Sequence, residues 1–338
     1  MSAKEEVLDI LQENMGTPVS GEDIARLLSV SRNTVWKAVN SLKEEGYEIE
    51  AATNRGYILI SESDVLSNAG IHKHLDAEWS HLVVDVRDTV SSTNTVLKGI
   101  AEQGGREGMV LVAQQQTAGK GRLGRSFYSP VGTGLYMSIL LRPKFDAEQS
   151  LFITTAAAAA VAEAVEEVSG CPAQIKWVND VYQRGKKICG ILTEASIDFE
   201  SKRLSYAVLG IGVNIREPED GFSEELREIV GTVWPAEPPK GARTRLAASI
   251  LNHFFGYYRR LDEKAFLDEY RKRSLLTGME ITFSHGNREE HGTVLGIDDN
   301  AGLIVRLRGG QTKVFSSGEV SINKDFLKAL SEKEQERN

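Results

Sequence analysis

Residues 114–125 read Gln-Gln-Gln-Thr-Ala-Gly-Lys-Gly-Arg-Leu-Gly-Arg, and the last seven hold three glycines and three cations. Backbone N–H groups in such a loop, with Lys120, Arg122 and Arg125, suit a phosphate or a carboxylate. The surrounding stretch Gly108–Phe145 carries Lys120, Arg122, Arg125, Arg142 and Lys144 and no Asp or Glu. Gly119, Gly121 and Gly124 also spell G-x-G-x-x-G, but a dinucleotide fold needs a helix straight after that motif. Ser126–Pro130 and Gly132-Thr133-Gly134 follow instead, which excludes a Rossmann site, and no Walker A motif is present.

Two further polar clusters accompany this loop. Lys176-Trp177-Val178-Asn179-Asp180 and Lys186-Lys187-Ile188-Cys189-Gly190-Ile191-Leu192 place lysines at the ends of apolar strands. Asn179-Asp180 taken alone reads as a turn. Ser91-Ser92-Thr93-Asn94 reads both as the cap of a helix over Thr95–Ala101 and as a source of hydroxyls for a ligand. Near the N-terminus, Ser31, Arg32, Asn33, Thr34 and Lys37 stand on polar positions of a helix, where Arg and Asn read base edges and Ser, Thr and Lys hold phosphates. Arg55, at a hairpin tip, would reach a neighbouring groove or phosphate. His72 and His74 are two apart and share no helix face, so no metal site is expected there. Trp36, Trp79 and Trp234 read as packing residues.

The elements that position these groups fall into three blocks. Leu8, Leu11 and Met15 mark a first helix, Ser20 caps a second, and Arg32 to about Glu45 forms a third, with Val35, Val39 and Leu42 on one side and Gly46 at its end. Ile49–Ala52 and Tyr57–Ile60 flank a turn at Thr53-Asn54-Arg55-Gly56, which completes a winged helix-turn-helix. Strands at Leu82–Val86, Met109–Ala113, Leu135–Leu141, Gln174–Val178, Lys187–Ser196 and Leu204–Ile215 alternate with helices. Those helices are Ser150–Val168, with Asp146 near its start, Thr244–Leu261 and Lys264–Leu276, giving a mixed α/β or α+β domain. Turns at Arg184-Gly185 and Glu200-Ser201 join the strands from Gln174 to Ile215, and five short strands from Glu280 to Ile322 suggest a small terminal barrel. The expected limits are 1–62 for the winged helix, 63–80 for a linker, 81–276 for the central domain, 277–324 for the terminal domain and 325–338 for a charged tail.

Composition narrows the class. A chain of 338 residues with 41% hydrophobic and 26% charged residues supports several packed cores. Two cysteines, Cys171 and Cys189, exclude a disulfide framework or cysteine zinc finger and fit a reducing cytoplasm. No apolar run is long enough to span a membrane, and Glu5, Glu6 and Asp9 leave no apolar signal core. The net charge of −8 argues against wholesale coating of nucleic acid.

In this order, several motifs resemble the biotin protein ligase family, specifically the bifunctional bacterial members that also repress the biotin operon. They are Ser92-Thr93-Asn94, Gln116 to Arg125, Lys176 to Asp180, Lys187 to Leu192, Gly210-Ile211-Gly212-Val213-Asn214, Gly296-Ile297-Asp298 and Ser317-Gly318-Glu319-Val320-Ser321. The resemblance implies an α+β multidomain chain: a winged helix-turn-helix, a central domain like class II aminoacyl-tRNA synthetases, and an SH3-like small β-barrel.

It also implies a two-step reaction, in which biotin and ATP give biotinyl-5′-adenylate and a lysine of an acceptor protein then takes the biotin. By motif position, Lys187, Arg122 and Asp180 are the expected catalytic residues. Biotin falls to Ser92, Thr93, Asn94, Gln116, Lys120, Gly121, Arg122 and Lys187, and ATP or the adenylate to Lys120, Arg122, Arg125, Lys176, Asn179 and Asn214. Magnesium is expected with ATP and not in a protein cage. The implied partners are operator DNA of biotin biosynthesis and transport genes, carrier domains of acetyl-CoA carboxylase and pyruvate carboxylase, and a second copy of the chain, with the adenylate as co-repressor. Lys120 and Asn323 stand where the family often has arginine. The competing readings are a lipoate ligase and a repressor that senses biotin or its adenylate without ligase activity.

Overall fold

The computed structural model describes residues 3–44, 47–52, 55–60, 66–144, 150–197, 203–285 and 288–321. Gly46, Asn54, Asp146, the turn at Glu200-Ser201, Asn323 and the tail 325–338 lie outside the described residues. Two compact units are present, Met1–Ser80 with Pro238–Ala248, and His81–Glu237 with Ser249–Asn338.

The first unit begins with α1 (Ala3–Glu13), α2 (Gly21–Leu27) and α3 (Arg32–Glu44), followed by the hairpin β1 (Ile49–Ala52) and β2 (Gly56–Leu59) and by α4 (Asn68–Lys73). Apolar residues at helical spacing, Val7, Leu8 and Leu11 with Ile24, Val35, Val39 and Leu42, close on Ile49 and Leu59 of the hairpin. Ser20 Oγ accepts the Glu22 N–H at 3.2 Å and starts α2. Ser31 Oγ does the same for the Thr34 N–H at 3.1 Å, so Ser31 and Thr34 are tied up in starting α3. The wing is pinned by paired backbone bonds between Val19 and Tyr57 at 2.8 and 2.9 Å. Gly56 has φ +103° and a Cβ there would lie 2.0 Å from Val19 O, so only glycine fits. The stretch 63–80, read from its sequence as a linker followed by a short helix, carries that helix as α4, whose Ile71 is buried along with Leu66.

One expectation fails in this unit. Trp36 is not a packing residue: it is 54% exposed. The inward stripe of α3 is already filled by Val35, Ala38, Val39 and Leu42, which leaves Trp36 on the opposite face with the exposed Arg32, Asn33 and Lys37. Trp79 is buried, as expected, and Trp234 is half-buried.

In the second unit, β3 (Val83–Val90), α5 (Thr93–Glu102), β4 (Met109–Gln116), β5 (Gly134–Leu141) and α6 (Ser150–Ser169) lead to β6 (Gln174–Lys176), β7 (Asp180–Gln183), β8 (Lys186–Ile197) and β9 (Leu204–Asn214). The sheet order is β3-β4-β5-β9-β8-β7-β6, with β3 and β4 parallel and all other neighbours antiparallel. The expected strand Gln174–Val178 stops at Lys176, and Asp180 opens a strand that sequence reading missed. Asn179 explains the break: its Nδ2 donates to Ile191 O on β8 and to Asp180 Oδ1, both at 3.0 Å, and this holds the turn Trp177–Asn179 against the sheet.

Helix α6 is buried nearly all round from Ala156 to Val165, as its run of five alanines requires. α7 (Glu224–Arg227), α8 (Ala242–Tyr258) and α9 (Phe266–Lys272) follow. The chain ends in β10 (Glu280–His285), β11 (Arg288–Ile297), β12 (Leu303–Leu307), β13 (Thr312–Phe315) and β14 (Glu319–Ser321), an antiparallel sheet of order β13-β12-β11-β10-β14. Among the described residues no helix is long and apolar enough to cross a membrane.

Candidate functional site

Three adjacent rows of the second unit's sheet build the floor of a cavity. Register places Tyr136, Gly212 and Gly190 side by side, then Ser138, Gly210 and Leu192, then Leu140, Val208 and Glu194. Strand side chains alternate faces, so these rows point to one side. α5 covers the far end of that side, where Leu97 and Ala101 pack on Leu111, Leu140 and Val208. Beyond its N-terminus the glycines lower the floor. The cavity there is lined by Ser92, Thr93, Asn94, Gln116, Lys120, Phe127, Gly190, Leu192, Gly210, Ile211 and Gly212. Thr193, facing the other way, bonds Thr154 of α6 at 2.7 Å.

Larger residues at the glycine positions would abolish this space. A Cβ on Gly210 would lie 2.2 Å from Asn94 Oδ1, and one on Gly212 would lie 2.7 Å from the Phe127 ring. Phe127 also meets Tyr136 edge to face, with ring centroids 6.3 Å apart. The polar wall is connected. Gln116 Oε1 accepts the Thr93 N–H at 2.9 Å and lies 3.2 Å from Thr93 Oγ1, while its Nε2 donates to Ser129 Oγ at 2.9 Å. Ser138 Oγ lies 2.6 Å from both Thr93 Oγ1 and Asn94 Oδ1. Ser92 occupies the N-cap position of α5 but makes no side-chain cap bond.

Next to this neutral wall stands a charged one. The Lys187 ammonium forms an ion pair with Asp180 Oδ1 at 2.7 Å and lies 3.4 Å from a Cβ built on Gly190. Arg122 donates to Asn179 Oδ1 at 2.7 Å and to Gly318 O at 3.3 Å, and Arg125 pairs with Glu319. Burial holds the Lys176 ammonium below its ordinary pKa, opposed by the nearby Asp180 carboxylate. Burial pushes the Cys189 thiol up, which makes it an inert core group. The arrangement joins a slot of neutral donors and acceptors to a cluster of cations, as binding a polar ring beside a phosphate requires.

Ser92, Thr93, Asn94, Gln116 and Lys120 of the expected set line the cavity, and Lys187, Arg122, Asn179 and Asp180 gather beside it. Gly121 N–H donates to Arg125 O at 2.7 Å inside the loop, and Asn214 is buried at the end of β9, its carbonyl taking the Val233 N–H. Neither lines the cavity. Asp180 is not a simple turn residue; its carboxylate belongs to Lys187. Sequence reading missed Phe127, Ser138 and Glu194. Ser138 did have a signal, as the one serine within the apolar run Leu135–Leu141.

Comparison with known proteins points to one family. Residues 86–214 fit the biotin/lipoate A/B protein ligase family, residues 4–58 a helix-turn-helix domain and residues 277–322 the biotin protein ligase C-terminal domain. The bifunctional ligase/repressor BirA of Bacillus subtilis is 33% identical over 319 residues, covering 93% of this chain and 97% of that protein. The biotin–[acetyl-CoA-carboxylase] ligase of Mycobacterium tuberculosis is 30% identical over 251 residues, covering 72% of this chain and 89% of that protein. The biotin protein ligase of Aquifex aeolicus, solved with biotin and ATP, aligns with a TM-score of 0.58 at 28% identity, over 71% of this chain and 97% of that one. Fold and site thus define a ligase core joined to a helix-turn-helix unit. The chain belongs to the biotin protein ligase family, on the side of its bifunctional ligase/repressors.

Proposed function

We infer that this chain activates biotin with ATP, transfers it to a lysine of a carrier domain, and represses transcription through its helix-turn-helix unit. One observation carries the reading: a glycine-floored slot with neutral hydrogen-bonding walls opens beside Lys187 and Arg122. In the first step the biotin carboxylate attacks the α-phosphorus of ATP and pyrophosphate leaves. Two anions must meet, and Lys120, Arg122 and Lys187 screen the approach and the charge that builds on the phosphoryl oxygens. Ser92, Thr93 and Gln116 face the ureido ring, and the glycine floor with Phe127 and Leu192 takes the apolar part. In the second step a neutral acceptor amine attacks the acyl carbon, loses its proton, and AMP leaves. Asp180 orients the Lys187 ammonium rather than acting as a base, because its carboxylate is already committed to that ion pair.

Lys176, Asn179, Arg125 and Asn214 are assigned to the nucleotide side. Magnesium enters this reading only as a companion of the triphosphate, and no step here rests on it; among the described residues no three His, Cys, Asp or Glu side chains converge on a point. The central sheet is read as class II synthetase-like and the terminal strands as an SH3-like barrel, with working limits of 1–62, 63–80, 81–276 and 277–324. The acceptors are the carrier domains of acetyl-CoA carboxylase and pyruvate carboxylase. The DNA target is an operator of biotin biosynthesis and transport genes, read in the cytoplasm by a homodimer through Arg32, Asn33, Lys37 and Arg55.

Incubation with biotin and ATP, followed by mass spectrometry, tests the first step: biotinyl-5′-adenylate and pyrophosphate are expected, and unchanged ATP with biotin retained contradicts it. A gel-shift titration tests the repressor: tighter operator binding is expected with biotin and ATP, and equal binding with and without them removes the co-repressor role.

A further inference from the structure

The polar wall of the cavity has more oxygen–oxygen contacts than hydroxyl protons to fill them, and the count fixes which way each bond runs. Asn94 is oriented first. Its Nδ2 lies 2.9 Å from the Glu194 carboxylate and 3.3 Å from Leu192 O. Both partners only accept, so Oδ1 must turn toward Ser138. Ser138 Oγ is 2.6 Å from that Oδ1 and 2.6 Å from Thr93 Oγ1. Oδ1 has no proton to give, so the single Ser138 proton goes to Asn94, and the Thr93 contact must be made by the Thr93 proton. Thr93 Oγ1 also lies 3.2 Å from Gln116 Oε1, the longest of the three contacts and therefore the one left without a proton. Gln116 Oε1 keeps the Thr93 backbone N–H at 2.9 Å instead.

We propose that Glu194, Asn94 and Ser138 form a relay that sets Thr93 Oγ1 as an acceptor toward the ligand. A free hydroxyl can donate or accept and so discriminates poorly between ligands. The relay removes that choice. Gln116 is oriented the opposite way: one Nε2 hydrogen goes to Ser129, and an amide nitrogen carries a second that serves as a donor. The wall thus asks for a neutral ring with an N–H and a C=O side by side, a cyclic urea. This rests on the reading that biotin occupies the cavity, and it adds Ser138 and Glu194 as positioning residues that do not line it. Ser138 is fully buried and acts through Thr93, and Gly210, its register partner, leaves room for Asn94 Oδ1.

The test uses the full-length protein, calorimetric binding of biotin, and two biotin analogues in which one or the other ring N–H is replaced by oxygen. Wild type is expected to bind one of the two cyclic carbamates about 100-fold more weakly than biotin, since an acceptor would face an acceptor. Ser138→Ala frees the Thr93 proton, which is then shared between Gln116 Oε1 at 3.2 Å and the ring oxygen, and the ratio narrows about tenfold while the KM for ATP stays within about twofold. Glu194→Ala narrows the ratio in the same way, and Glu194→Gln, which still offers Asn94 an oxygen, restores it. Glu194 is half-buried and keeps the test open if Ser138→Ala fails to fold. Equal affinity of wild type for biotin and both carbamates overturns the proposal, as does an unchanged ratio in Ser138→Ala or Glu194→Ala. Absence of any biotin binding by wild type overturns the ligase reading itself, a separate result.

Discussion

The Lys187 ammonium rests 2.7 Å from the Asp180 carboxylate, across the paired strands β7 and β8. Before substrates arrive, the cation therefore has a fixed position beside Gly190, held by its ion pair with Asp180. Preorganised charge of this kind is worth about 10²–10³ in rate. Lys187→Ala should lower adenylate formation by that factor, measured as pyrophosphate release in a single turnover. Asp180→Asn should cost less, because the lysine keeps its charge and loses only its guide. A normal rate in Lys187→Ala removes the residue from the mechanism.

Gly210→Ala should damage biotin binding without touching any cation. The added methyl would sit 2.2 Å from Asn94 Oδ1 and 2.9 Å from its Cγ, so Asn94 must move. Overpacking of this sort costs about 1–3 kcal/mol. Biotin affinity is expected to fall at least tenfold by calorimetry, with a lowered Tm. Unaltered affinity would mean that Asn94 is not part of the binding wall.

Arg273, at the end of α9, ties that helix to α6 through Glu166 at 2.7 Å and pairs with Glu269 within α9, and its side chain is only 9% exposed. Arg273→Met leaves two carboxylates without their partner and should cost about 3 kcal/mol at pH 7 in urea unfolding. The Arg273 hydrogen bond holds the Glu269 carboxyl below its usual range. A carboxyl with a depressed native pKa contributes stability above its unfolded value near 4.5, and that contribution is lost as the pH falls through the lower native value. Wild type should therefore lose stability on acidification more steeply than the variant. Parallel pH profiles would contradict this.

On α3, Lys37 and Asn33 are exposed, and the proposed DNA reading assigns them different roles. Lys37→Ala should weaken binding to every duplex and reduce the slope of log K against log salt by about one, as loss of one phosphate contact does. Asn33→Ala should weaken only the operator complex, by about 1–3 kcal/mol. Trp36→Ala, on the same exposed face, should leave stability within about 0.5 kcal/mol. Salt titrations by fluorescence anisotropy separate these outcomes, and a full loss of stability in Trp36→Ala would restore its packing role.

Local signals were strong where one element decides the outcome. Ser20 before Gly21-Glu22, the stripe Val35, Val39 and Leu42, and the alanine run of α6 each state their structure in a few residues. The cavity was harder to see because strands far apart in sequence build it. Ser138 becomes a site residue only when register sets it beside Gly210 and beneath Asn94. Asp180 read as a turn until β8 supplied both its strand partner, Gly190, and its cation, Lys187. Trp36 was misread for the opposite reason: its hydrophobicity is visible in the sequence, but the face it occupies depends on which neighbours have already filled the core.

The central claim is that biotin passes through an adenylate to a carrier lysine. Incubating the full-length protein with ATP, labelled biotin and a biotin carboxyl carrier domain, with labelled lipoate in a parallel reaction, tests it most directly. Label from biotin on the carrier lysine, dependent on ATP and absent with lipoate, is the expected result. Biotin binding without transfer would make the chain a sensor alone, and transfer of lipoate in place of biotin would contradict the account outright.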